Sequence, residues 1–239
     1  MQNDRFECNY LIIGSGVSSY FAIRELLSIE KNSKIIVVTE DHEYPYDRPP
    51  LSKEYLRDQV RKESLFFMSQ DYYMKNNLKV ILGNRVTNID PVEKVAYLER
   101  GESIKFDKAL IATGGSPRRA GIKGEDKKGV HYLRSLADAD SIKEELSFSK
   151  KPLIIGGGFI GVEIAASMAT LGKKPTIVEK RSYIWGGFLD KHVSALIKEY
   201  FEKKGVAFRL EDSIREFLGE EKIVGAVTEE GKLLERILC

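Results

Sequence analysis

Two short glycine-rich segments limit the folds open to this chain more than any other feature of the sequence. They cover residues 14–19 (GSGVSS) and 156–161 (GGGFIG), and an apolar, β-branched run precedes each of them. Helical periodicity follows, over 17–29 in the first case and 159–171 in the second, and another β-branched run follows each helix. Strand, tight turn, helix and strand therefore occur twice, 142 positions apart, and predict two βαβ units.

Each glycine segment has the composition of a phosphate-binding turn. The first glycine makes the sharp turn, the second lets the backbone approach a pyrophosphate at the helix N-terminus, and the third permits close packing of helix on strand. An acid ends the second strand of each unit, Glu40 26 residues after Gly14 and Glu179 23 residues after Gly156. A carboxylate there can accept hydrogen bonds from ribose hydroxyls. The first segment departs from the pattern by placing Ser19 at the third small position, but two loops in matching contexts still predict dinucleotide binding.

The remainder of the chain predicts an α/β protein with two Rossmann-like dinucleotide-binding domains, 1–115 and 116–239. The Gly- and Lys-rich segment 114–129 is interpreted as the connection between them. Other elements are expected as helices at 70–77 and 190–204, and as short strands at 79–82, 86–89, 95–98, 104–106, 108–112, 207–210, 223–227 and 233–238.

Composition excludes several classes of function. With 38 Lys+Arg against 36 Asp+Glu, the net charge of +2 gives no basic excess for nucleic-acid binding. No apolar run approaches the roughly 18 residues of a membrane span. Cys8 and Cys239 lie at opposite ends of the chain, and His42, His131 and His192 have no metal-ligand spacing, so neither a disulfide framework nor a metal site is expected. The histidines are interpreted as surface residues, and a cytoplasmic protein is expected because the N-terminus has no signal-peptide pattern.

Two further strings, 45–53 (PYDRPPLSK) and 110–118 (LIATGGSPR), complete a pattern with the glycine loops. Together they resemble the FAD- and NAD-dependent pyridine-nucleotide oxidoreductases, and most of all the ferredoxin- and rubredoxin-reductase branch and the apoptosis-inducing-factor-like flavoproteins. The resemblance covers essentially the whole chain and implies the three-layer ββα form of the Rossmann fold. Family members continue past a strand like 233–238 back into the FAD domain and then into an interface domain. The FAD domain is therefore expected to be incomplete at its C-terminal side, with an exposed apolar edge and weak retention of FAD unless another chain supplies the remainder.

By this resemblance the first domain holds FAD and the second holds NAD(P)H. The residues implied for FAD are Gly14, Ser15, Gly16, Val17, Ser18, Glu40, Arg48, Lys53, Val86, Ala112, Thr113 and Gly114. Those implied for the nicotinamide cofactor are Gly156, Gly157, Gly158, Phe159, Ile160, Gly161 and Glu179.

Three residues are expected to have catalytic roles: Lys53, Glu163 and Phe159. A cation near the flavin can stabilise charge on the reduced ring, and Lys53 is the candidate for that cation. We hypothesise that Lys53 pairs with Glu163 across the flavin–nicotinamide junction, the alternative being two unconnected surface charges. Phe159 is interpreted as a ring that lies over the flavin and yields to nicotinamide, the alternative being ordinary helix–sheet core. Trp185 is a loop aromatic that could lie near the same site.

The choice of cofactor depends on the end of the strand at 176–179. The carboxylate of Glu179 favours NADH by repelling the extra phosphate of NADPH, whereas Lys180 and Arg181 directly after it keep NADPH open as the alternative. Neither paired thiols nor a cysteine in the loop 41–46 is present, and Cys8 is interpreted as buried packing, so a thiol relay is disfavoured.

The sequence thus predicts an FAD-dependent NAD(P)H:acceptor oxidoreductase. Hydride would pass from nicotinamide to flavin, and electrons would then leave singly to a carrier protein of the ferredoxin or rubredoxin type. The alternatives are an NADH-binding flavoprotein module with a regulatory or signalling role and little turnover, and an inactive truncated fragment.

Overall fold

A computed structural model describes residues 4–235, which form two compact units. The first unit contains residues 4–48 and 61–116, and the second contains residues 49–60 and 117–235. The sequence placed 49–60 in the first domain, whereas the structure packs this segment into the second unit. The reason is tertiary: Leu56 is 1% exposed and belongs to the core of the second unit. Which nucleotide each unit holds stays a prediction.

The first unit is built on a six-stranded sheet with the strand order β3-β2-β1-β6-β5-β4. Strands β1, β2, β3 and β6 are parallel, while β4, β5 and β6 form an antiparallel meander. The elements are β1 (Arg5–Ile13), α1 (Val17–Ile29), β2 (Ile35–Val38), α2 (Gln70–Lys75), β3 (Leu78–Ile81), β4 (Val86–Asp90), β5 (Val95–Leu98) and β6 (Ser103–Ile111).

Alternation along β1 and β2 divides the core of this unit into two layers. Leu11 and Ile13 face the meander side, where they pack with Ile104. Ile12, on the opposite face of β1, packs with Ile23 of helix α1. Because successive side chains of a strand point to opposite faces, an entirely apolar strand such as β2 can be covered on both sides. The unit is therefore a helical layer, a parallel sheet and a meander.

The second unit repeats this arrangement. A parallel sheet has the order β7-β8-β9, and a separate antiparallel meander has the order β10-β11-β12. The elements are α3 (Leu136–Phe148), β7 (Leu153–Ile155), α4 (Phe159–Thr170), β8 (Thr176–Glu179), α5 (Lys191–Lys203), β9 (Ala207–Leu210), β10 (Ile214–Leu218), β11 (Gly225–Thr228) and β12 (Leu233–Glu235), with a 3₁₀ turn at Pro49–Ser52.

The same alternation orders the core of the second unit. Leu153 of β7 packs with Phe217 of the meander, whereas Ile154 packs on the opposite side with Val162 of helix α4. The three-layer ββα form and the α/β class are thereby confirmed. Within residues 4–235, β7 pairs only with β8, whereas β1 lies between β2 and β6. An apolar groove of about 300 Å³ lies beside β7, lined by Ile155 and other aliphatic residues. An open apolar edge thus occurs in the second unit. The first unit has the one that the sequence predicted, because in the described chain the end of β6 pairs with β1 and not with β5, and Leu110 and Ile111 there are exposed.

Several elements differ from the sequence prediction. The strands expected at 104–106 and 108–112 form the single strand β6, and α3 and β10 were not predicted. Helix α3 did carry a signal, because Ser135 and Asp138 form a capping box at its N-terminus. The strand expected at 233–238 is described as far as Glu235; its remainder and Cys239 lie outside the described residues. None of the helices in residues 4–235 has the length and apolarity needed to cross a bilayer.

Candidate dinucleotide sites and the lysine–glutamate pair

The first glycine loop passes directly beside the end of β6. Gly14 has φ = +110°, and a Cβ atom there would lie 2.2 Å from the carbonyl oxygen of Ala112. Only glycine permits this approach, so the loop and the segment 112–114 lie together, as the predicted site requires. Gly16 caps α1 without a side-chain hydrogen bond, and a Cβ atom there would meet nothing within 4 Å. The first amides of α1 are therefore accessible to an anionic ligand.

The two serines in this loop serve the protein interior. The Ser15 hydroxyl is buried and lies 2.9 Å from the Thr39 hydroxyl, which leaves only the backbone of Ser15 for a ligand. Ser19 is fully buried and donates a hydrogen bond to the Gly14 carbonyl at 2.9 Å. Serine is thus accommodated at the third small position, because the Ser19 hydroxyl forms a hydrogen bond with the Gly14 carbonyl against which it packs.

Glu40 lies at the surface of the first unit and forms an ion pair that the sequence did not predict. Its Oε2 atom is 2.6 Å from Nη2 of Arg85, and both side chains are more than 60% exposed. Arg85 directly precedes Val86, the first residue of β4 and one of the residues predicted to contact FAD. A ribose that binds to Glu40 would therefore compete with Arg85 for the carboxylate.

Arg48 has a donor atom that the described protein does not satisfy. Its Nε atom is buried without a hydrogen-bond partner among residues 4–235, its Nη2 atom lies 3.9 Å from Asp41, and its guanidinium lies over the Tyr46 ring. A buried donor without a partner is costly and calls for an acceptor. Together with the accessible amides of α1, this donor fits an anionic group such as the FAD pyrophosphate. The other residues predicted around the loop, Val17, Ser18, Thr113 and Gly114, are exposed.

The second glycine loop has the same construction with a true packing glycine. Gly156 has φ = +101°, and a Cβ atom on Gly161 would lie 2.1 Å from the Gly156 carbonyl oxygen. Helix α4 begins after Gly158 without a side-chain cap, and a Cβ atom on Gly158 would meet nothing within 4 Å. Ile160, in the first turn of α4, is 55% exposed. The loop therefore packs tightly at Gly161 and leaves its amide side open.

Both carboxylate oxygens of Glu179 accept hydrogen bonds from backbone amides, and one of those amides belongs to this loop. Oε2 accepts a hydrogen bond from the Gly157 amide at 2.7 Å, and Oε1 accepts one from the Arg181 amide at 2.9 Å. A carboxylate can accept about four hydrogen bonds, so lone pairs remain for ribose hydroxyls. The sequence placed Glu179 at the end of the strand but did not foresee its bond to the loop. The negative charge thus lies at the loop itself in a set orientation.

Three aromatic rings lie beside the same loop. Phe159 is 4.7 Å from Phe188 and 5.4 Å from Trp185, measured between ring centroids. The Trp185 amide donates to the Gly157 carbonyl at 3.0 Å, which ties this aromatic segment to the loop. Phe159 is 49% exposed, so the alternative of ordinary helix–sheet core is wrong. Its role over a flavin stays a prediction.

Lys53 and Glu163 are joined in the second unit. The Lys53 Nζ atom lies 2.8 Å from Glu163 Oε2, and the Ser52 hydroxyl donates to the same oxygen at 2.6 Å. Lys53 also donates to the Pro49 carbonyl at 3.2 Å. Partial burial alone would raise the pKa of Glu163, but the hydrogen bonds from Lys53 and Ser52 outweigh it and hold this pKa below its usual range. Glu163 is therefore a carboxylate at neutral pH, and the two charges are not unconnected.

Two residues discounted as sites have buried groups. Cys8 lies in the core of the first unit, and burial raises the pKa of its thiol to about 11, so the thiol is protonated and unreactive at neutral pH. The interpretation of Cys8 as packing is confirmed.

His131 is not a simple surface residue, because its Nε2 atom is buried without a partner in the described chain and burial lowers its pKa. No group of three His, Cys, Asp or Glu residues in positions 4–235 could hold a metal ion.

Comparison with known proteins agrees with this geometry. Residues 8–237 match the sequence profile of the family described as pyridine nucleotide-disulphide oxidoreductase. A rubredoxin-NAD(+) reductase of Pseudomonas putida is 28% identical over 94% of this chain and 59% of its own length. A ferredoxin–NAD(P)(+) reductase of a Sphingomonas species is 31% identical over 88% of this chain and 51% of its own length. The chain thus spans between half and three-fifths of these curated relatives.

A solved structure shows the same fold. The crystal structure of a covalent putidaredoxin reductase–putidaredoxin complex superposes with a TM-score of 0.91 at 26% identity, and the match covers 96% of this chain and 57% of that chain. The fold seen here therefore corresponds to more than half of the matched chain of that complex.

The contact at Gly161 predicts a purely steric defect. In Gly161→Ala, the new methyl group must move the Gly156 carbonyl or helix α4, and we expect a loss of about 1–3 kcal/mol in the free energy of unfolding measured in urea without nucleotide. Gly158→Ala is the matched control in the same loop, because its Cβ atom meets nothing, and it should lose less than about 1 kcal/mol. Equal losses in the two variants would contradict the packing role of Gly161.

Proposed function

Because the chain belongs to the pyridine nucleotide-disulphide oxidoreductase family, we propose that its protein is an FAD-dependent NAD(P)H oxidoreductase. Electrons pass from the nicotinamide through the flavin to a small carrier protein of the ferredoxin or rubredoxin type. The observation that carries the proposal is the Lys53–Glu163 pair, held on the helix that the second glycine loop opens. The printed names of the two relatives, a rubredoxin reductase and a ferredoxin reductase, support the class of acceptor.

The residues present suit both cofactors. In the first unit, the amides after Gly14, the backbone of segment 112–114 and the unpartnered Arg48 donor would hold FAD. In the second unit, the loop 156–158 and Glu179 would hold the nicotinamide cofactor. Bound FAD supplies the group that accepts a hydride and releases electrons one at a time.

The chain itself contributes a positive charge and an apolar surface to the proposed site. Glu163 fixes the Lys53 ammonium by a 2.8 Å hydrogen bond, so the lysine supplies a positive charge at a defined atom. Such a charge stabilises negative charge that develops during electron uptake. The rings of Phe159, Trp185 and Phe188 lie together beside the second loop and present an apolar surface there. Burial raises the pKa of the Cys8 thiol to about 11 and keeps it protonated, so we exclude Cys8 from the reaction.

We propose NADH as the preferred donor, with NADPH as the alternative. The fixed Glu179 carboxylate offers acceptors for ribose hydroxyls and repels a phosphate at the same place. Lys180 and Arg181 are exposed next to it and are the groups that would receive the phosphate of NADPH. We also propose a cytoplasmic location, which suits a protein whose Cys8 is a free thiol.

The proposal is tested by an anaerobic titration of the FAD-loaded protein with NADH. We expect the visible flavin band to bleach with NADH and to recover rapidly when an oxidised ferredoxin or rubredoxin is added. A long-lived reduced flavin that the carrier does not reoxidise would favour the regulatory module. Loaded protein that does not bleach would contradict the proposed function.

Glu179 predicts the nucleotide preference. In Glu179→Ala, the ratio of kcat/KM for NADH to kcat/KM for NADPH should fall about tenfold or more, because charged hydrogen bonds to ribose are lost and the repulsion of phosphate is removed. Glu199→Ala, which removes the same charge from the exposed face of α5, should leave the ratio unchanged. A ratio that moves equally in both variants would show a general effect of charge and would contradict the role of Glu179.

A further inference from the structure

The segment 49–60, which carries Lys53, makes two hydrogen bonds with helix α4 through Ser52. The Ser52 hydroxyl donates to Glu163 Oε2 at 2.6 Å, and the Ser167 hydroxyl donates to the Ser52 carbonyl at 2.7 Å. Glu163 and Ser167 are four residues apart and so lie on one face of α4. Ser52 is 6% exposed and Ser167 is fully buried. Ser52 is therefore hydrogen-bonded to two successive turns of helix α4, once through its side chain and once through its backbone.

The hydrogen bonds of this contact converge on one oxygen atom. The Ser52 hydroxyl has a single proton, and the Glu163 carboxylate at 2.6 Å is a better acceptor than the Pro49 carbonyl at 3.4 Å. Lys53 donates to the same Glu163 oxygen and to the same Pro49 carbonyl. Ser52 and Lys53 thus share the Glu163 oxygen as an acceptor, so moving Ser52 would also displace the oxygen that Lys53 contacts.

Further contacts hold the rest of the segment in the second unit. The Tyr55 hydroxyl donates to Asp140 at 2.5 Å, and Lys143 lies 2.5 Å from Asp58. Leu56 is buried in the core of the same unit. These contacts involve helix α3, so the segment is fixed at both ends and its position does not depend on Lys53 itself.

We propose that Ser52 and Ser167 are positioning residues for Lys53. Together with Glu163 they form a serine clamp, defined by these three residues, that holds the Lys53 ammonium in one place. A lysine that is about a third exposed would otherwise gain little from a single ion pair, because long side chains lose entropy when they are fixed. The importance of the clamp for catalysis rests on the proposed function; its effect on Lys53 does not.

The clamp is tested on the protein without nucleotide by competitive acetylation of lysines with acetic anhydride, read by peptide mass spectrometry. Relative to the exposed Lys191, acetylation of Lys53 should rise about fivefold in Ser52→Ala and in Ser167→Ala, because an amine that is no longer held against the Glu163 and Pro49 oxygens is more accessible to the reagent. Ser52→Thr keeps a hydroxyl and should restore the protection. If Ser167→Ala does not fold, the Ser52 variants decide the outcome alone.

Two controls match the chemistry that is removed. Ser33→Ala removes a serine–glutamate hydrogen bond of 2.8 Å in the first unit, and Ser194→Ala removes a buried bond from a serine hydroxyl to a backbone carbonyl at 2.9 Å on α5. Neither should change the acetylation of Lys53. Unchanged acetylation in folded Ser52→Ala would overturn the clamp, as would an equal rise in the controls.

A kinetic readout separates the clamp from the proposed function. Loss of the Ser52 donor removes a bond that lowers the pKa of Glu163, so this pKa rises. The acid limb of the pH profile for flavin reduction by NADH should then move to higher pH in Ser52→Ala and return in Ser52→Thr. Raised acetylation with an unchanged pH profile would support the clamp and contradict a catalytic role of Lys53.

Discussion

The Glu163 carboxylate is the point on which the candidate site depends. It stands on the helix that the second glycine loop opens, and one of its oxygens receives both the Lys53 ammonium and the Ser52 hydroxyl. Both side chains of the ion pair are about one-third exposed, so the pair contributes little to stability. Its consequence is placement: the Lys53 ammonium is set at a defined atom, on a segment that Leu56 and helix α3 already hold in the second unit.

The two units show how one topology carries different electrostatics. In both, a glycine with positive φ makes the turn and an uncapped helix follows it. At the third small position Gly161 packs against the Gly156 carbonyl, whereas Ser19 reaches the Gly14 carbonyl by a hydrogen bond. The acids diverge more. Glu40 forms an exposed pair with Arg85, while Glu179 bonds the amide of its own loop. The second loop is thus the one whose carboxylate has a fixed orientation.

Local patterns predicted the parts of the fold that local physics determines. Apolar runs and glycine turns identified both βαβ units, and α1 and β8 have the bounds that periodicity indicated. Helix α3 was missed because its apolar face is sparse, although its capping box was legible in the sequence. The placement of segment 49–60, the Arg85–Glu40 pair and the contacts of Ser52 could not be predicted, because each joins residues brought together only by the tertiary fold. Lys53 was found through a resemblance, and Glu163 through its place on the first turns of the helix after the second glycine loop.

Lys53 and Glu163 are proposed to act as one unit, and a double-mutant cycle tests this coupling most directly. Lys53→Met, Glu163→Gln and the double variant would be compared by anaerobic stopped-flow measurement of flavin reduction by NADH in the FAD-loaded protein. We predict that the double variant is about as slow as the slower single variant, with an interaction free energy of at least about 1 kcal/mol. Effects that multiply independently, or a single variant that keeps the full rate, would contradict the claim.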